Sequence, residues 1–118
     1  MDEGIVVADQ DQIAEGGVLV VPQATTGTDE DIAVFRSGDA YYALDDMCTH
    51  QEALLSRGWV EEGEVVCPLH LARFRLADGM PTCFPATWPT PTHRVEVRDG
   101  RIVVFPGVPA DGAPALEH

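Results

Sequence analysis

With 118 residues and 45% apolar side chains, the chain can bury roughly two-thirds of its unfolded surface in one small domain, which excludes a disordered segment. Twenty acids face seven bases, all arginine, for a formal net charge of −13, so nucleic-acid and anionic-membrane binding are excluded for want of a basic face. The same negative field steers encounters with basic protein surfaces, or serves solubility alone.

The predicted elements are short β segments separated by Gly, Asp and Pro. Residues 4–8 and 18–21 read as strands, with a single helical turn within 9–14. A polar loop over 25–31 precedes strands at 32–36 and 41–44, joined by the turn Ser37-Gly38-Asp39. From about 46 to 85 the strand signal is patchy, with candidates at 64–66, 73–76 and 82–84 and a turn at Asp78-Gly79. Strands at 93–98 and 101–105 flank Asp99-Gly100, a strong short hairpin signal. In the first of them Arg94, Glu96 and Arg98 alternate with Val95 and Val97, as in a half-buried strand. The reading is one all-β domain over 1–118. A loop-rich subdomain (about 46–85) is inserted in an antiparallel sandwich or barrel-like base (about 4–45 and 86–108). Residues 109–118 form a flexible tail, and 116–118 resemble a tag junction. No apolar run approaches the ~20 residues of a membrane span. The start Met1-Asp2-Glu3-Gly4 lacks the basic and apolar stretches of a secretory signal, so the expected location is cytoplasmic.

Three cysteines without an export signal point to metal or redox use, not to a disulfide framework. Two pairs stand out, Cys48-Thr49-His50 and Cys67-Pro68-Leu69-His70. Two such loops together offer two thiolates and two imidazoles, donors that suit zinc or iron–sulfur chemistry and not calcium or magnesium. A zinc finger usually pairs its cysteines in one turn and its histidines in another. One donor of each kind per loop suits two different metals, one taking both sulfurs and the other both nitrogens.

Cys-x-His, sixteen residues, then Cys-Pro-Leu-His resembles the Rieske motif. The likeness runs from about 47 to 105 and includes Leu55, Gly58, Phe74 and Pro81-Thr82-Cys83-Phe84-Pro85-Ala86. It implies a Rieske fold and one [2Fe–2S] cluster held by Cys48, His50, Cys67 and His70. The cysteines would bind the inner iron and the histidines, through Nδ1, the outer one. The chain resembles the stand-alone ferredoxins of bacterial aromatic-ring-hydroxylating dioxygenases, with a lean towards the carbazole dioxygenase type. That family implies a monomeric one-electron carrier with no catalysis of its own. A flavin-containing reductase would load it, and it would discharge to a terminal oxygenase near a His50/His70 tip. Two other assignments use the same residues: a Rieske subunit of a larger reductase, such as an assimilatory nitrite reductase, and a zinc-binding interaction module.

Absences refine the resemblance. High-potential relatives carry an extra Cys in each loop, where this chain has Ala53 and Leu69, and Ser and Tyr hydroxyls where it has Ala72 and Phe74. Losing donors to the cluster sulfurs lowers the potential, towards roughly −150 mV. Leu71 stands where the family commonly has Gly, and is expected to add an apolar contact at the tip. Cys83 is expected to be an inert buried thiol, His93 structural or exposed, and Trp59 and Trp88 packing residues. Glu52, Glu61, Glu62 and Glu64 form a docking rim or a solvated face. Arg57, Arg73 and Arg75 lie near enough in sequence to offset their charge.

Overall fold

The computed structural model describes residues 4–47, 54–68, 72–83, 89–110 and 113, without the Cys83 side chain. Six strands form one antiparallel sheet: β1 (Ile5–Asp9), β2 (Val18–Val21), β3 (Ile32–Ser37), β4 (Ala40–Asp45), β9 (Thr92–Arg98) and β10 (Arg101–Phe105). Their order is β1-β10-β9-β4-β3-β2, a barrel-like base. Between β4 and β9 the chain builds a second antiparallel sheet from β5 (Trp59–Glu61), β6 (Glu64–Val66), β7 (Arg73–Arg75) and β8 (Pro81–Cys83), in that spatial order. Pro81 cannot donate to a ladder on both sides, which suits its place on an edge strand.

Strand β3 explains how the two sheets are joined. Successive side chains of a strand point to opposite faces, and in β3 both faces are buried. Ile32 and Val34 enter the core of the base with Ala8, Ile13, Val21, Ala43, Ile102 and Val104. Ala33 and Phe35 enter a second core with Leu44, Leu55, Val65, Cys67, Ala72, Phe74 and Leu76. The small sheet therefore sits on the outer face of β3 and β4. This is why 32–35 reads as an unbroken apolar run instead of an alternating one.

Three details differ from the sequence reading. A helical turn over Gln23–Thr26, entered from Pro22 and closed by Gly27, replaces the start of the expected polar loop, because four residues carry no period to read. Strand β5 was not expected. It is three residues long and pairs with β6 across Glu62-Gly63, both at positive φ (50° and 77°). Val97 is 44% exposed, unlike Val95. Pairing of β9 with β4 ends at Ala43–His93, so the hairpin beyond runs past the sheet that would cover it.

Candidate metal centre

Each predicted ligand pair lies on a segment whose two ends the fold pins together. At the first, Met47 and Leu54 form an antiparallel bridge, and the Leu55 N–H donates to the Asp46 carbonyl at 2.6 Å. The Asp46 carboxylate, only 2% exposed, accepts from the Ser56 N–H (2.7 Å) and hydroxyl (2.8 Å). A 3₁₀ turn over Leu55–Arg57 follows and buries Leu55. At the second, β6 and β7 form a hairpin in which the Cys67 N–H donates to the Ala72 carbonyl at 2.6 Å.

The two segments meet at Gly58. A Cβ built there would lie 2.9 Å from the Val66 carbonyl carbon and 3.3 Å from Pro68 Cδ, with the carbonyl oxygen closer still. Only a residue without a side chain lets the exit of the first segment rest on the chain entering the second. This contact sets the chain leaving 47–54 against Val66 and Pro68, on either side of Cys67. The residues Cys48, His50, Glu52, Ala53, Leu69, His70, Leu71 and Trp88, the stretch 84–88 and the expected tag junction at 116–118 lie outside the described residues.

Cys67 is fully buried, sharing its core with Leu55, Ala72 and Phe74. A sulfur in a dry, apolar wall suits a soft iron–sulfur centre and not a hydrated hard cation. Ala72 and Phe74 are themselves 0% exposed and bring no hydroxyl. Among the described residues no three His, Cys, Asp or Glu side chains gather into a metal site.

The outer face of the small sheet is a charge network. Arg73 donates to Glu64 (2.8 Å) and Glu61 (3.0 Å), and the Trp59 indole N–H donates to Glu61 at 2.7 Å. The indole first, then Arg73, holds the Glu61 carboxyl below the ordinary carboxylate range. Arg75 forks onto Asp78 and lowers its pKa in the same way. Glu61 and Glu64 thus have their charge met locally, while Glu62 stands exposed at the turn. Trp59 is 44% exposed and is not a core packing residue, because its neighbour Val60 takes the inward position.

His93 is structural and buried. Its Nδ1 accepts from the Gly107 N–H at 2.9 Å, so the proton sits on Nε2, which donates to Asp45 at 2.7 Å. This pair and the Asp46–Ser56 contact were not picked out from the sequence, and Gly58 was named only as part of the family likeness, without its seam. The Asp45-Asp46 step just before Cys48 was the available signal.

The Rieske [2Fe-2S] domain family matches residues 3–106, and the chain belongs to this family. Its cofactor is accordingly a Rieske-type [2Fe–2S] cluster. The anthranilate 1,2-dioxygenase ferredoxin subunit of Burkholderia cepacia is 41% identical over 86 residues, 73% of this chain and 80% of that one. The 3-phenylpropionate/cinnamic acid dioxygenase ferredoxin subunit of Photorhabdus laumondii is 44% identical over 75 residues, 63% of this chain and 71% of that one. Among solved structures, a chain in the complex of reduced oxygenase and oxidized ferredoxin of carbazole 1,9a-dioxygenase superposes with a TM-score of 0.83 at 31% identity, covering 99% and 100% of the two chains. The small subunit of a putative NADH-dependent nitrite reductase from Mycobacterium tuberculosis, at 23% identity and a TM-score of 0.72, shares the fold.

Proposed function

We propose that Cys48 and Cys67 bind one iron, and His50 and His70 the other, of a single cluster. We propose further that this Rieske ferredoxin of an aromatic-ring dioxygenase system takes one electron at a time from a flavin-containing reductase and hands it to a terminal oxygenase. The observation that carries the reading is the Gly58 seam, which presses together the two segments bearing a Cys and a His each. When bound, the cluster supplies one-electron redox chemistry. Cys67 offers its sulfur from a dry wall, and Leu55 and Phe74 keep water from that side. With Ala72 and Phe74 giving no hydroxyl, the extra electron is less stabilised, which puts the potential near the low end of the Rieske range, roughly −150 mV. A low potential suits a carrier that a flavin loads.

Docking uses the His50/His70 tip, with the acid excess drawing in basic partner surfaces. The carrier works as a monomer in the cytoplasm; no helix among the described residues is long and apolar enough to cross a membrane. The carbazole lean is supported by the solved structures, whereas two of the curated relatives belong to anthranilate and 3-phenylpropionate systems. A carrier touches no aromatic substrate, so its partner surfaces choose the system.

The test is electron paramagnetic resonance of the dithionite-reduced protein. An average g clearly below the free-electron value, lost in His50→Ala and His70→Ala and kept in Cys83→Ala, is the expected result. A colourless, silent protein with stoichiometric zinc overturns the assignment.

A further inference from the structure

Asp46 is buried, and every polar group it owns is engaged. Its N–H donates to the Asp31 carbonyl (2.9 Å), its carbonyl accepts from the Leu55 N–H, and its carboxylate accepts twice from Ser56. Asp46 lies one residue before, and Ser56 two residues after, the pinned ends of 47–54, the stretch that contains Cys48 and His50. One side chain thus ties the outgoing strand to the returning chain ten residues later.

A buried carboxylate is a costly way to make such a tie, since a neutral amide could accept the same backbone N–H without the desolvation of a charge. What the charge adds is strength in both bonds and a fixed negative field two residues from Cys48. A negative charge beside a centre that gains an electron opposes the gain.

We infer that Asp46 is a positioning residue for the cluster: through Ser56 it ties the chain entering the Cys48/His50 segment to the chain leaving it, and its charge keeps the reduced form disfavoured. The inference rests on the assignment of Cys48 and His50 as ligands. It accounts for a dry, charged contact at the neck of that segment.

The experiment compares holoprotein carrying D46A, D46N or S56A with wild type, reading the decay of visible absorption under excess iron chelator and the midpoint potential. D46A removes two charge-assisted bonds and is expected to lose its cluster at least about tenfold faster. D46N can still accept from the Ser56 N–H and is expected to stay within about threefold of the wild-type decay. In D46N the reduced-to-oxidised ratio at a fixed potential should rise about tenfold, a shift of about 59 mV for one electron. S56A keeps the charge and the backbone bond, so its decay should quicken about threefold while its midpoint stays put. Wild-type decay in D46A, or a wild-type midpoint in D46N, overturns the inference. Should D46A fail to fold, S56A decides, and an unchanged decay there overturns it. A wild-type protein lacking the mixed-ligand spectrum overturns this inference together with the ligand assignment, whereas the variant outcomes touch this inference alone.

Discussion

Replacing Gly58 with Ala inserts a methyl group into the seam between the two segments proposed to bear the ligands. The new carbon would lie 2.9 Å from the Val66 carbonyl carbon and closer to its oxygen, against the ~3.5–4.0 Å at which such atoms rest. The obstacle is backbone, so no rotamer change can relieve it; the 3₁₀ turn and β6 must part, opening the core around Leu55 and Val65. Overpacking of this kind costs about 3 kcal/mol, the upper part of the usual range. In a domain of this size that is a fall of roughly 10–15 °C in Tm. Gly63→Ala serves as the control. Nothing lies within 4 Å of a Cβ at Gly63, whose φ is 77°, so only the left-handed backbone penalty of about 1 kcal/mol applies. Thermal unfolding followed by circular dichroism reads both variants, with visible absorption reporting the cluster. A Gly58→Ala protein that melts at or above the Gly63→Ala temperature would refute the claim that steric closure at the seam holds the segments together.

Glu62 takes a positive φ of 50° before Gly63, a two-residue turn that favours Asn-Gly; Glu62→Asn should therefore raise stability by about 0.5 kcal/mol, read as a small increase in Tm. Removing the acceptor opposite a buried imidazole N–H is costlier, and Asp45→Ala should lose about 2 kcal/mol in chemical denaturation; a loss below about 1 kcal/mol would contradict the assigned pair. Because Glu61 is held below its unfolded pKa, its contribution is present above the ordinary carboxylate range and fades as pH falls through the lowered folded value. Trp59→Phe deletes the leading cause, so the Glu61 midpoint in a carboxyl NMR titration should move up, and an unmoved midpoint would discount the indole bond. Ala72→Ser with Phe74→Tyr places hydroxyls in the wall shared with Cys67 and should raise the midpoint potential by on the order of 60 mV, which a redox titration measures.

The base strands were legible because they carry their own signals: apolar runs at 18–21 and 32–35, and Asp99-Gly100 between two β-rich segments. The small sheet was only half legible. Its strands are three residues long, too short for a period to show, and β5 is held by pairing with β6 across a turn whose first residue is a glutamate. Trp59 was misplaced for the same reason, since without knowing that Val60 faces Val65 and Phe74 nothing in its neighbourhood says which face it takes.

The proposed donors and their spacing come from the chain itself, because a metal selects atoms, and Cys-x-His with Cys-x-x-His offers them locally. Tertiary structure alone decided the contact of Gly58 with Val66 and Pro68 and the tie between Asp46 and Ser56. A glycine is informative only beside the carbonyl that a side chain would strike, and Asp46 only beside the serine ten residues later. Such contacts depend on separations in space that no local pattern encodes.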